Sequence, residues 1–175
     1  MKKSIVFLSL YLFIFLPSKI TLADISISFI DVDYIYSNST IGKKIDKQLT
    51  SENKKITDEF STYKNKIQDE KQKLIAQKKI ISEEEFKNKT IDLEKKINKY
   101  NKLIAEKNEA FMKLKSDTKS LFLKKIMNIV GEYADDNSIQ LILNKSDVII
   151  GKSTLDKSDD ILELVNIKIK DINLQ

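Results

Sequence analysis

Asp and Glu are the residues in this sequence that could take part in catalysis or metal binding, because their carboxylates can bind a divalent cation or transfer protons. They cluster at Asp31-Val32-Asp33, at Glu83-Glu84-Glu85, and at Asp156 with Asp159-Asp160. The chain contains neither His nor Cys, which removes the commonest general base and the thiol nucleophile. Structural roles explain the three clusters without catalysis, because one lies at a strand end, one at a helix start and one at a helix cap. We therefore predict no enzyme activity, no metal site and no cofactor.

The N-terminus has the pattern of an export signal. Lys2 and Lys3 precede an apolar run from residue 5 to residue 16, which is shorter than the ~20 residues that span a membrane. A small residue, Ala23, then precedes Asp24. This pattern predicts a signal peptide over residues 1–23, cleaved between Ala23 and Asp24, and a soluble mature protein. The alternative is a buried N-terminal helix.

Charge is distributed unevenly along the mature chain. All 31 basic residues are lysine, and removing Lys2, Lys3 and Lys19 leaves 28 against 26 acids, or +2. Residues 43–125 hold 23 lysines against 14 acids, or +9, whereas residues 24–42 carry −3 and residues 126–175 carry 5 against 9, or −4. The positive electrostatic field of residues 43–125 favours acidic unfolded polypeptides or anionic lipid headgroups as partners. The chain has no Arg and no recognised nucleic-acid-binding module, which argues against nucleic acid as a partner.

The elements that hold these charges are mostly helical. Residues 25–32 alternate like a half-buried strand, a short helical turn follows from Asp33, and the sequence SNST offers N-cap chemistry for the next helix. Residues 43–130 contain no Gly or Pro across 88 positions. Their apolar residues recur at the 3.5-residue rhythm of a coiled-coil seam.

A second helix start interrupts this seam. Ser82 followed by Glu85 is a capping box, which implies a turn near residues 78–84 and an antiparallel hairpin. The hairpin would place Leu49 opposite Leu114, and it would bring other apolar pairs together further out: Phe60 near Leu103 and Ile67 near Ile97. Polar residues at seam positions (Asn53, Glu70, Lys107) should loosen it.

The remaining segments predict a small β-rich body. Gly131 and the residues around position 136 should end the second helix. Residues 139–144 and 148–151 then flank a Lys-Ser-Asp turn as a β-hairpin, and an amphipathic helix closes the chain. We predict a mainly α fold in which residues 43–121 form an arm that projects from a body of residues 24–42 and 122–175. So few strands leave open edges that favour self-association.

The two ends of the mature chain, on either side of a hairpin, resemble the Skp/OmpH family of periplasmic chaperones. The resemblance rests on FIDVDYIYSNSTIGKKIDKQL, a strand leading through Gly-Lys-Lys into a long helix, and on IQLILNKSDVIIG followed by LDKSDDIL. It implies a jellyfish-shaped homotrimer whose arms enclose a cavity. There the protein would hold unfolded outer-membrane proteins without ATP. A structural coiled-coil spacer or tether of the envelope is the alternative.

Two residue sets follow as candidate sites. The oligomerisation set consists of apolar residues in the predicted strands: Ile27, Phe29, Ile30, Val32, Ile139, Leu141, Leu143, Val148 and Ile150. The client-binding set consists of aromatic residues and lysines of the arm: Phe60, Tyr63, Lys64, Lys66, Lys71, Lys73, Phe86 and Tyr100. Most of these aromatic residues should lie in the hairpin seam, and some could face a cavity.

Overall fold

The protein consists of a long helical hairpin joined to a small body with one strand pair. The computed structural model describes residues 25–172, so the predicted signal peptide and its cleavage point at Ala23 and Asp24 lie outside the described residues. The elements are β1 (Ile27–Ile30), α1 (Val32–Asn38), α2 (Thr40–Gln77), α3 (Glu83–Asp136), β2 (Leu141–Asn144), 3-10 turns at Lys145–Asp147 and Ser153–Leu155, and α4 (Ser158–Lys168). The predicted fold class, mainly α with a small β body, is confirmed.

Side-chain caps turn the chain from β1 into the arm. The Asp31 carboxylate accepts a hydrogen bond from the Tyr34 amide at 2.8 Å and starts α1. The Ser39 hydroxyl accepts one from the Gly42 amide at 3.0 Å and starts α2. The capping role predicted for the polar turn is therefore confirmed, and α1 is a two-turn helix between two caps.

Gly42 lies where the first turn of α2 meets the end of α1. A Cβ at this position would lie 1.9 Å from the Tyr36 carbonyl oxygen and 2.9 Å from the Ser39 hydroxyl oxygen. Real Cβ atoms do not approach backbone so closely, and the Tyr36 carbonyl cannot rotate away as a side chain could. The sequence Gly-Lys-Lys thus contains a glycine that the packing requires.

Replacing Gly42 with alanine is expected to destabilise the protein by about 2–3 kcal/mol, because the helices must separate to admit the methyl group. Gly131→Ala is the matched control, since nothing lies within 4 Å of the place that its methyl group would occupy inside α3. That control should gain up to about 1 kcal/mol from helix propensity. Urea unfolding of both variants at one protein concentration measures the difference. Equal effects would contradict the close approach.

The two long helices form the predicted antiparallel arm. Ser82 caps α3 by accepting a hydrogen bond from the Glu85 amide at 3.2 Å, and the chain turns just before it. The predicted turn and the capping role of Ser82 are confirmed, while the Glu85 carboxylate pairs with Lys89 at 2.9 Å. The structure pairs Phe60 with Tyr100, one helical turn from the predicted partner Leu103. At 1.5 Å per residue, the 38 residues of α2 extend about 57 Å.

The second arm helix ends at the predicted residues around position 136, but not at Gly131. It passes through Gly131 and ends at Asp136, so the prediction that Gly131 helps to end it is wrong. Ser138 takes the left-handed conformation with φ 55°, and the Ile139 amide donates to the Ala134 carbonyl at 2.9 Å. This is the Schellman arrangement, in which a residue at positive φ satisfies the last carbonyls of a helix.

The strands pair differently from the prediction. β2 pairs with β1 in parallel, with Ile27 opposite Leu141 and Phe29 opposite Leu143. Residues 148–151 form no strand, so the predicted β-hairpin is wrong. A 3-10 turn at Lys145–Asp147 follows β2 and diverts the chain, and the other edge of β1 binds residues near Asp156 instead. The whole arm is the crossover that a parallel pair requires.

A single buried cluster holds the arm to the body. It joins side chains from β1, α1, the first turns of α2, the last third of α3, α4 and the residues that follow α4: Ile30, Ile35, Ile41, Ile45, Leu49, Phe122, Ile126, Ile129, Val130, Ile161, Val165, Ile169 and Ile172. Burial raises the pKa of Tyr133 to about 12, and its hydroxyl donates to Asp160 at the edge of this cluster. Within residues 25–172, the helices are too polar to span a membrane.

Candidate binding surface on the helical hairpin

The carboxylate clusters have structural partners. Asp31 caps α1, Asp156 accepts hydrogen bonds from the amide and hydroxyl of Ser158, and Asp159 accepts one from the Tyr34 hydroxyl at 2.9 Å. The three acids that follow Ser82 occupy the first turn of α3, where the helix dipole favours negative charge. No group of three or more His, Cys, Asp or Glu residues within residues 25–172 is arranged to hold a metal ion.

An aromatic cluster occupies the middle of the arm. Tyr63 stacks on Tyr100 with ring centroids 5.6 Å apart, and Phe60 meets the Tyr100 ring edge-on at 6.2 Å. The Tyr100 hydroxyl donates to the Phe60 carbonyl oxygen at 2.7 Å. Residues 60 and 63 lie on one face of α2 because positions three apart are neighbours on a helix. The structure thus brings together three of the predicted client-binding aromatic residues.

Ion pairs cross the hairpin on both sides of this cluster. Lys107 lies 3.2 Å from Glu59, and Lys96 lies 2.7 Å from Glu70. Glu70 and Lys107 were expected to loosen the seam, yet each finds a partner on the opposite helix. All four side chains keep substantial exposure, so each pair contributes at most about 1 kcal/mol.

Two grooves lie between the helices, one on each face of the hairpin, and Ile67 and Tyr100 line both of them. Groove A has a volume of about 480 Å³, and its lining includes Tyr63, Lys66, Glu70, Lys99, Tyr100 and Leu103. Groove B has a volume of about 520 Å³, and its lining includes Lys64, Ile67, Lys71, Ile75, Ile97 and Tyr100. The four predicted lysines are therefore divided, because Lys73 lines neither groove but a smaller cleft nearer the tip.

Phe86 lies apart from the other predicted aromatic residues. It is half-buried near the turn, with the Lys78 ammonium 5.7 Å from its ring centroid. Beyond it, Ile80 is 81% exposed at the tip. The predicted client-binding set is thus divided between the middle of the arm and its end.

Comparison with known proteins adds to this geometry. The family model described as "Outer membrane protein (OmpH-like)" matches residues 26–165. The chain belongs to the OmpH-like family. Among solved structures, a candidate outer membrane chaperone (OmpH-like) from Caulobacter crescentus is similar, with a TM-score of 0.81 at 14% identity over 86% of this chain and 89% of that chain. No curated protein sequence matches. The resemblance drawn from the two ends of the sequence is confirmed.

The body of this OmpH-like protein exposes part of its strand pair. Of the predicted oligomerisation set, Phe29 and Ile30 are buried within the protomer, whereas Ile27, Leu141 and Leu143 are exposed. Ile150 is 91% exposed in the segment after β2. The remaining three members are half-buried: Val32, Ile139 and Val148. The set therefore divides into a core part and a surface part.

Sequence reasoning missed several exposed apolar residues of the OmpH-like fold. Ile75 lies in groove B and is 60% exposed, Met112 is exposed on α3, and Ile149 is fully exposed beside Ile150. Ile75 follows Leu74, which occupies the seam, so a seam-based pattern gives it no role. An apolar residue directly after a seam position, beside the seam and outside its 3.5-residue rhythm, is the signal that could have found it.

Proposed function

We propose that this protein is a periplasmic holding chaperone that binds unfolded outer-membrane β-barrel proteins without ATP. A homotrimer joined through the body would carry three arms around a cavity for the client. The observation that supports this most is the arm itself. It is a long hairpin of net charge +9 over residues 43–125, with grooves in which apolar side chains and lysines lie together.

The chemistry of the grooves suits a client that is unfolded and acidic. Exposed lysines attract acidic chains from a distance and speed their encounter. Apolar groups such as Ile75 and Leu103 then offer contact to side chains that would otherwise aggregate. Such contacts are weak individually, which allows a bound chain to slide and be released. Anionic lipid headgroups are a second partner that the same field would attract.

The body supports the proposed assembly. Ile27 and Leu141 are opposite each other on the strand pair and are both exposed, and Ile149 and Ile150 in the segment after β2 are exposed as well. A two-stranded sheet with an open edge is marginal in water. Packing against further copies would cover both the edge and the apolar side chains.

A spacer or tether of the cell envelope is the second candidate function. The ion pairs Glu59–Lys107 and Glu70–Lys96 favour it, because they link the two helices where polar seam residues were expected to loosen them. A rigid hairpin suits a spacer, because a spacer must keep a fixed length. Groove B, however, has no role in a spacer that takes no client.

Aggregation of a denatured β-barrel protein diluted from urea tests the proposal. The mature protein should suppress light scattering at about one trimer per client, and capture should slow as salt rises, since the Debye length falls to ~10 Å at 0.1 M. Residual capture should persist at moderate salt because the apolar contacts remain. Absence of suppression at any ratio would favour the spacer. Capture that is indifferent to salt would remove the electrostatic part of the mechanism.

A further inference from the structure

The two faces of the hairpin differ in how their charges are used. Groove A contains two glutamates, and both are paired with lysines that also line it, Glu70 with Lys96 and Glu106 with Lys102. No acidic residue is among the described side chains that line groove B. Its polar lining consists of Lys64, Lys71 and uncharged side chains.

The lysines of groove B have no carboxylate partner in the described part of the chain. None of the ion pairs within residues 25–172 includes Lys64 or Lys71. In groove A, by contrast, the Lys66 ammonium lies 5.9 Å from the centroid of the Tyr63 ring, so one of its lysines already has a cation–π contact. Groove B therefore has two cations available to a ligand and no anion to repel an acidic one.

The floor of groove B consists of apolar, β-branched side chains. Ile67 and Ile97 form its base from the two helices, and Ile75 extends it toward the tip. With its large exposed fraction, Ile75 keeps most of its side chain available to a ligand. An apolar side chain that enters here would gain about 25 cal/mol for each Å² removed from water.

The spacing of the two cations defines the ligand further. Lys64 and Lys71 are seven residues apart, which is two helical turns and about 10.5 Å along the axis. A polypeptide extended in the polyproline II conformation rises about 3.1 Å per residue with three residues per turn, so acids three positions apart lie on one face, roughly 9.3 Å apart, and match this distance. We infer that groove B is the client-holding face of the arm and takes an extended segment with two acids three residues apart and apolar side chains between them. This inference rests on the proposed function and names the segment that the arm selects.

A capped, fluorescein-labelled peptide containing Asp-Val-Phe-Asp tests the inference by fluorescence anisotropy with the mature protein at low salt. The comparison peptide has Asn in place of both Asp residues. The acidic peptide should bind about five-fold more tightly, which is what two exposed charge pairs provide. Raising the salt concentration should remove the difference while leaving the weaker apolar binding.

Matched variants assign the effect to one face. Lys64→Gln with Lys71→Gln should make the two peptides equal, whereas Lys66→Gln with Lys99→Gln removes the same charge from groove A and should preserve the five-fold ratio. Gln68→Glu with Gln72→Glu keeps both lysines but adds acids to groove B, and it should also abolish the preference. All three pairs lie on exposed helix positions, so circular dichroism should show unchanged helix content.

Four results would overturn the inference. If wild-type protein suppresses aggregation but binds both peptides equally, groove B does not select acidic segments of the client. The proposed function would still stand. Loss of the ratio in the groove A variant alone would place the client on the other face. A change in oligomer size in the groove B variant, without a change in peptide preference, would show that this face joins copies of the chain. Wild-type protein that neither suppresses aggregation nor binds peptide would refute both.

Discussion

Replacing Phe122 with alanine is expected to lower the free energy of unfolding by about 3–5 kcal/mol, the usual cost of removing a buried phenylalanine ring. The side chain is 1% exposed and lies in the cluster that joins arm to body. Its ring meets Tyr36 edge-on at 4.9 Å, so an aromatic pair is lost together with the buried surface. Urea unfolding followed by circular dichroism measures the change through the shift in midpoint.

Phe86→Ala is the matched control for this prediction. The same ring is removed, but Phe86 is half-buried near the tip, beside Lys78 of the turn. We expect a loss of about 1 kcal/mol or less, since a partly exposed ring has less surface to return to water. Both variants must be compared at one protomer concentration, because association contributes to apparent stability. Equal losses would show that stability is spread along the arm and not concentrated in the cluster.

The arm could be predicted from local rules. Helix caps depend on a few consecutive residues, so Ser39 and the Ser82–Glu85 box indicated both helix starts correctly. The predicted pairing of residues across the seam differs from the observed pairing by one helical turn, because the apolar residues of both helices recur with the same period. The prediction about Gly131 failed for a local reason too. Its lack of a side chain costs about 1 kcal/mol inside a helix, and neighbouring Ile129 and Val130 are buried and offset this cost.

The body could not be predicted in the same way. Residues 139–151 contain two apolar runs around a polar turn, which is the local pattern of a hairpin. The partner that β2 takes is β1, more than a hundred residues earlier, and no local pattern reports such a pairing. Phe29 shows the consequence for the candidate site. Its strand pattern predicts an oligomer surface, but its ring packs so close to Gly151 that a Cβ there would lie 2.7 Å from it.

The lysines of the candidate binding surface were predicted as one group, but the structure places them on different faces of the arm. Lys64, Lys66, Lys71 and Lys73 form a group because they are near in sequence and positively charged. On a helix, positions two apart are rotated by about 200° about the axis, so Lys64 and Lys66 must face different ways, as must Lys71 and Lys73. The structure places Lys64 and Lys71 in groove B and Lys66 in groove A. The hydrogen bond from Tyr100 to the Phe60 carbonyl had no signal in the sequence either.

Replacing Leu141 with aspartate is expected to dissociate the proposed homotrimer while leaving each protomer folded. Leu141 is 46% exposed in the isolated chain, so the protomer loses little when it becomes polar. In an assembly that covers this surface, the new carboxylate would lose its water without gaining a partner, and that costs several kcal/mol. Sedimentation equilibrium should show a lower mass at a protein concentration where the wild type is fully associated. Circular dichroism should show that the helix content is retained.

The choice of residue makes this result interpretable. Phe29→Asp would give no such clarity, because Phe29 is buried inside its own protomer and its loss would unfold the chain. Ile150→Asp places the same charge on the exposed segment after β2, which the proposed assembly is also expected to cover, and it should act in the same direction. Ser146→Asp adds the same charge in the exposed 3-10 turn between them and should leave the mass unchanged. If Leu141→Asp and Ile150→Asp both sediment at wild-type mass, the strand pair does not lie between subunits. The copies would then have to associate through another surface, and the arms would not be arranged around the cavity that the proposed function requires.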